Sequence, residues 1–309
     1  MIRLRRARPL LGTLVEIEVA GADEAALRPA IAAAFGEIER IHGLMSFHEI
    51  DSDVGRLNRA AAQSPVQVSP DTFAVFEMAA SIHAASGGAF DIAVAPHLVA
   101  RGRLPNLYGS PLSARAGSTR DIQLSSERMV RFARPLAIDL GGIAKGYAVD
   151  RAIARLARFP GIDNALVNAG GDIRIAGGSA LPIHVRHPLH SGRLLPPISL
   201  ASGALASSAA DSTCPQDAAR GPHVLPHPDA IPRFAAASVC APTCMVADAL
   251  TKVVLAGVPD SGGILQRFGA SALAVDWDGK LLRSAGFPAF ACANAAALQH
   301  RGNREAAGA

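Results

Sequence analysis

The chain has 309 residues, half of them hydrophobic and 18% charged. That supplies a sizeable core and room for two lobes, and it excludes a mainly disordered or collagen-like chain. Net charge is only +4, from 30 basic against 26 acidic residues, with no block of five like charges, so the pattern does not indicate a long nucleic-acid groove. No stretch of about 18 apolar, uncharged residues occurs, so no transmembrane helix is expected.

The opening MIRLRRARPL reads as a basic lead-in to a strand, because it lacks the long apolar run of a signal peptide. Residues 13–19 alternate and predict that strand. Residues 24–44 place Leu27, Ile31, Phe35, Ile38 and Ile41 at helical spacing, with Pro29 tolerated near the first turn or marking the start. A second helix is predicted over 70–86, opened by Pro70 and ended by Gly87-Gly88. Residues 99–121 read as a loop, and 128–138 as a return to strand. A glycine turn at 141–142 then leads into a helix from Gly146 to about Phe159, stopped by Pro160. A buried strand at 164–168, a tight turn at 168–172 and a strand from Ile173 follow. Residues 182–208 look strand-rich and 209–234 loop-like. A strand is expected at 235–239, and a helix capped by Thr243 over 244–256. A helix near 261–267 and a hairpin around 275–280 complete the pattern.

The four cysteines, Cys214, Cys240, Cys244 and Cys292, are too few for a disulfide scaffold. Cys240 and Cys244 read as buried free thiols. A zinc site would have to recruit His223 and His227.

Four segments can carry chemistry. Asp139-Leu-Gly-Gly-Ile-Ala-Lys-Gly-Tyr-Ala-Val-Asp150 joins a glycine pair to a helix start and a lysine, which suits a phosphate. It has neither the P-loop nor the dinucleotide-fold spacing, and a glycine turn into a helix also serves purely structural ends. Asn168-Ala-Gly-Gly-Asp172 either fixes a turn or binds a ligand. In the segment 243–252, Asp248, Thr251 and Lys252 share one helical face. Asp248 there is either a partner of Lys252 or a carboxylate ligand for Mg²⁺. In the segment 45–58, Phe47 can stack on a planar ring or fill the core, and Asp53 can pair with Arg56.

Together these segments resemble the ApbE family, the FAD:protein FMN transferases. Residues 11–17, 45–58, 86–91, 139–150, 165–174, 204–208 and 243–252 match its blocks in order. The resemblance implies an α+β fold, ApbE-like and T-fold-like, of two intertwined mixed lobes with a cofactor cleft between them. It places residues 1–302 in one such domain and leaves 303–309 as a flexible tail. It implies Mg²⁺-assisted transfer of FMN from FAD to a Thr or Ser hydroxyl of an acceptor protein, with release of AMP. It further implies catalytic roles for Asp248, His223 and Lys252. The implied metal ligands are Asp248, Thr251 and a carbonyl such as that of Gly142. The implied flavin-nucleotide contacts are Phe47, Asp53, Gly142, Lys145, Tyr147, Asn168, Gly170, Gly171, Asp172 and Ser207.

The chain departs from the family pattern in three places. Lys252 stands where the family has Thr, four residues after the metal Asp. Pro226, within His223-Val-Leu-Pro-His-Pro-Asp229, stands where the family has an Asp. Ala209 replaces a frequent Gly. The alternative functions are therefore an FAD-binding protein with weak or lost transfer, and a metal-dependent FAD pyrophosphate hydrolase. The expected partners are FAD and an acceptor protein, without nucleic acid, for a monomer or homodimer. The expected compartment is the cytoplasm, or the periplasm if an export signal precedes the sequence.

Overall fold

Val15, Ile17 and Val19 bury one face of β2 (Thr13–Gly21). Before it lies β1 (Ile2–Leu10), paired antiparallel along its whole length. The basic opening is thus a strand in its own right and forms the edge of a sheet. Its arginines face acidic neighbours: Arg3 meets Glu18 at 3.6 Å, Arg5 pairs with Glu16, and Arg8 meets Glu39 at 3.3 Å. Such a charged edge resists pairing with a foreign strand.

The computed structural model describes residues 1–107, 115–190, 192–210, 232–258 and 261–290. His223, His227, Pro226, Cys214, Cys292, the loop expected over much of 209–234 and the 303–309 tail lie outside the described residues.

The next elements are α1 (Glu24–Met45), α2 (Asp53–Ala60), β3 (Val66–Gln67), α3 (Pro70–Ala85) and α4 (Ala95–Ala100). Asp23 caps α1, its carboxylate accepting from Ala25 N at 2.9 Å. Pro29 lies inside α1, beyond the first turn, which corrects the expectation that it marks or adjoins the start. The lost N–H is outweighed by the burial of Leu27, Ile31, Phe35, Ile38 and Ile41 along one stripe. Ser69 caps α3 with Pro70 in the first turn, and Gly87 and Gly88 follow with φ of 60° and 90°.

The 128–138 stretch gives only β5 (Met129–Phe132), which forms a small sheet with β3 and β4 (Ile122–Leu124) in the order β3-β5-β4. The remainder of that stretch bends at 133–135 and then runs without regular structure to the site described below. Then come α5 (Ala144–Leu156), β6 (Ile162–Ala169), β7 (Asp172–Gly177), β8 (Leu181–Ile183), β9 (Ile198–Leu200), β10 (Gly203–Ala209) and β11 (Ala236–Ala241). The described part ends with α6 (Cys244–Ala256), α7 (Ser261–Arg267), β12 (Ser271–Val275) and β13 (Leu281–Arg283).

Eight strands form one sheet in the order β1-β2-β6-β7-β10-β11-β12-β13, every pair antiparallel. The N-terminal pair thus shares a sheet with the C-terminal strands, which intertwines the two lobes. Helices α1, α5 and α6 pack against one face of the sheet. The other face buries Ile173, Ile175, Leu205 and Leu273 beneath the β8–β9 ribbon and Phe287. Helix α6 is buried almost all round from Val246 to Leu255, as expected of a helix enclosed by sheet and neighbouring helices. The result is an α+β fold of two lobes.

Cys240 and Cys244 are buried free thiols, as the sequence suggested. Burial pushes the Cys240 thiol from 9.0 up to about 12, and that of Cys244 also rises well above its ordinary value. The folded state therefore holds protons on these sulfurs that the unfolded chain releases above about pH 9. Stability is expected to be unaffected by these groups below that pH and to fall as pH rises through it. Urea denaturation midpoints from pH 8 to 11 check this. Cys240→Ala should flatten the decline.

Candidate functional site

The site begins with a buried amide. Asn58, at the end of α2 and 4% exposed, donates from Nδ2 to the Ile138 carbonyl at 3.0 Å. Its Oδ1 accepts from Ile138 N at 2.8 Å. The next residue, Asp139, donates its N–H to the Ile92 carbonyl at 2.9 Å. The neighbouring Asp91 carboxylate in turn gathers Thr119 N, Thr119 Oγ1 and Ser118 Oγ at 2.7–3.0 Å. Asn58, from the matched segment 45–58, and Ile92, just after the segment 86–91, thus hold the chain that enters the Gly141-Gly142 turn. Asn58 was not singled out from the sequence. The available signal was an amide in the last turn of a short helix with Val54 and Leu57 buried beside it.

The turn delivers Lys145 in the first turn of α5. Its ammonium pairs with Asp172, which opens β7 and is 1% exposed. Asp248 of α6, fully buried, accepts from Gly146 N at 3.2 Å through Oδ2. Its Oδ1 pairs with the Lys252 ammonium, which also donates to the Asp248 carbonyl at 2.9 Å. Two lysines and two aspartates therefore meet where α5, α6 and β7 converge.

Burial would disfavour both carboxylates in charged form, but the two aspartates fare differently. For Asp172, burial raises the pKa, and the negative charge of Asp248 adds to that against the pull of Lys145. For Asp248, burial is overcome by Lys252 and Lys145, and the pKa is lowered. Lys145 is raised, because Asp172 and Asp248 outweigh its own desolvation. Lys145 is thus held as a cation.

Neighbouring groups hold this cluster in place. Asp150 receives Cys244 N and Met245 N at 2.8 and 2.9 Å and pairs with Arg174, so α5 caps the start of α6. The helices approach closely because residue 146 is glycine. A Cβ there would stand 2.3 Å from the Cys244 carbonyl oxygen and 2.8 Å from Met245 N. Gly146→Ala is expected to cost about 1–3 kcal/mol through forced backbone movement and to weaken ligand binding together with stability. Chemical denaturation and nucleotide titration of the same variant test this.

A cavity of about 380 Å³ opens beside the cluster, lined by Leu11, Phe47, His48, Asp139, Gly141 and Lys145 among others. Its size falls in the range of small-molecule sites. Burial pushes the Asp139 carboxyl up, against the Gly141 N–H that it accepts at 2.9 Å.

The structure brings Gly142, Lys145, Asp172, Asp248, Thr251 and Lys252 together, with Phe47 on the cavity wall. It places other candidates elsewhere. Tyr147 lies two residues beyond Lys145, on a different face of α5. It donates to Asp71 at 2.7 Å, within a cluster that includes Arg40 and Arg151. Asp53 pairs with Arg56 and accepts from Ser69 N at 2.9 Å, joining α2 to the start of α3. Asn168 is used by the β6–β7 turn: its Oδ1 accepts from Gly171 N at 2.9 Å. Gly170 and Gly171 take φ of 66° and 107°, and a Cβ on Gly170 would stand 2.5 Å from Thr13 Oγ1. That turn sets Asp172 in register. Ser207 bonds Ser238 at 2.8 Å. Successive strand residues face opposite ways, and it is Ser208 that meets Thr251, at 2.9 Å, and Lys252, at 3.4 Å.

As arranged, these residues do not fit a Mg²⁺ shell. Both Asp248 carboxylate oxygens are engaged, one by an ammonium and one by an amide N–H. The Thr251 hydroxyl donates to the Asp248 carbonyl at 2.6 Å and shares a bond with Ser208. A charged lysine offers no lone pair to a metal. Among the described residues no group of three His, Cys, Asp or Glu side chains is placed to hold a metal ion.

This two-lobed fold around one antiparallel sheet is that of the ApbE proteins. It matches the solved ApbE protein of Thermotoga maritima with a TM-score of 0.76 at 25% identity, covering 92% of this chain and 97% of that one. The apo flavinyl transferase ApbE of Pseudomonas stutzeri is alike in fold, with a TM-score of 0.74 at 22% identity, covering 92% and 95% of the two chains. The chain belongs to the ApbE family, whose model matches residues 11–273. Among curated relatives, the FAD:protein FMN transferase of Treponema pallidum is 27% identical over 320 aligned positions, 91% of this chain and 86% of that protein. The enzyme of the same description from Vibrio cholerae serotype O1 is 30% identical over 155 positions, 45% of this chain. The chain spans 44% of the length of that Vibrio relative.

Proposed function

We propose that this protein transfers the FMN half of FAD to a threonine or serine hydroxyl of an acceptor protein and releases AMP. The observation that carries the reading is the meeting of Lys145, Asp172, Asp248 and Lys252 beside the Gly141-Gly142 turn, with Lys145 forming part of the cavity wall. Membership of the ApbE family and the descriptions of its relatives support it.

In this reading FAD is the substrate. Its diphosphate lies against the 141–145 segment, where a glycine turn lets the backbone come close and Lys145 supplies a cation. Lys145 neutralises charge as it develops on the attacked phosphoryl group. The acceptor hydroxyl oxygen forms the new P–O bond, the bond to AMP breaks, and the hydroxyl proton passes to a base. His223 is the base candidate that the resemblance implies. Leu11 and Phe47 supply an apolar wall for the flavin ring, as a protein with only two tyrosines and one tryptophan must use other residues.

A second reading, FAD binding with slow or no transfer, is favoured by one observation: Lys252 occupies the carboxylate that the family resemblance assigns to a metal. One incubation separates the two. The protein, FAD and a threonine-containing acceptor peptide are incubated and the products resolved by chromatography and mass spectrometry. Equimolar AMP and FMN-peptide are the expected result. Free FMN with AMP would indicate hydrolysis, and intact FAD would indicate binding alone.

A further inference from the structure

We propose that Lys252 takes the place of a divalent cation in this protein, so that the flavin nucleotide diphosphate is bound without a metal ion. This deepens the flavin-nucleotide reading above and rests on it.

The Lys252 ammonium sits among three oxygens: Asp248 Oδ1, the Asp248 carbonyl at 2.9 Å and Ser208 Oγ at 3.4 Å. A carboxylate, a carbonyl and a hydroxyl are the oxygen types a hard divalent ion collects, and here they surround a nitrogen that carries three donor hydrogens. The side chain is 9% exposed, so this is an interior charge and not a mobile surface lysine. Its seat is built around it. Lys252 Cε lies 3.4 Å from the point a Cβ on Gly142 would occupy, so the glycine turn leaves room for the lysine stem. The Thr251 hydroxyl points back to the Asp248 carbonyl. The remaining Asp248 oxygen accepts from Gly146 N at 3.2 Å. A metal ion entering this place would have to expel the ammonium from a buried carboxylate, which is costly. Lys252 brings one positive charge where Mg²⁺ would bring two. Lys145, paired with Asp172, lines the adjoining cavity.

The test measures FAD binding by titration calorimetry, in EDTA and in millimolar Mg²⁺, for the wild-type chain and for Lys252→Thr. Wild type should bind FAD with the same affinity, within about twofold, in both buffers. Lys252→Thr should bind at least tenfold more weakly in EDTA and recover with Mg²⁺, because threonine returns a neutral oxygen beside Asp248. Mn²⁺ titrated alone should give no binding to wild type and saturable binding to the variant. A wild-type affinity that rises tenfold or more with Mg²⁺, or saturable Mn²⁺ binding to wild type, overturns the inference and leaves the transferase reading standing. No FAD binding by wild type in either buffer overturns both. The wild-type comparison needs no variant, so a misfolded Lys252→Thr protein would still leave a decisive result.

Discussion

Asp248→Ala is expected to cost the folded state about 3–5 kcal/mol. The carboxylate is fully buried and the Lys252 side chain almost so. Removing the acid strands an ammonium in the interior with only a carbonyl and a hydroxyl to receive it. It also frees Gly146 N in the first turn of α5. Urea denaturation at neutral pH measures the loss. The double variant Asp248→Ala with Lys252→Met should recover most of it, because an uncharged side chain of similar length leaves no buried charge behind. A single variant that loses less than about 1 kcal/mol, the range of exposed pairs, would show that the two groups are not a buried ion pair.

Lys145→Met is expected to weaken FAD binding about 10- to 100-fold, the equivalent of one lost charge-assisted hydrogen bond of about 1.5–3 kcal/mol. Its effect on folding should be smaller than that of Asp248→Ala. Burial and the charge of Asp248 already raise the Asp172 carboxyl, so without Lys145 it can take up a proton and need not stay as a lone buried anion. Flavin fluorescence titration gives the affinity, and the denaturation midpoint gives the stability. Unchanged affinity would remove Lys145 from the nucleotide site.

Much of this arrangement was legible because local physics decides it. Thr243 caps the helix that its position predicts, Pro70 opens α3, and the apolar stripe of α1 buries as its spacing requires. The family blocks located the Gly141-Gly142 turn, Lys145, Asp172 and Asp248, which do meet. What remained hidden depends on distant pairing. β1 reads as a lead-in because it is rich in arginine with only a short apolar run, and its pairing with β2 makes it a strand. Tyr147 and Lys145 share one segment, yet helical geometry sends them to different partners. Ser207 and Ser208 are neighbours in a small-residue run, and the strand alternation that brings only Ser208 to Lys252 depends on the β10–β11 register. Asn58 acts on a residue 80 positions away, a contact that no window of sequence contains.

The position of the diphosphate in a crystal structure of the protein grown with FAD and Mg²⁺ tests the account most directly. The predicted result is a diphosphate against the 141–145 segment, hydrogen-bonded to Lys145 Nζ, with Lys252 still on Asp248. FAD seated away from Lys145, or a Mg²⁺ ion between Asp248 and the phosphates with Lys252 displaced, would contradict it.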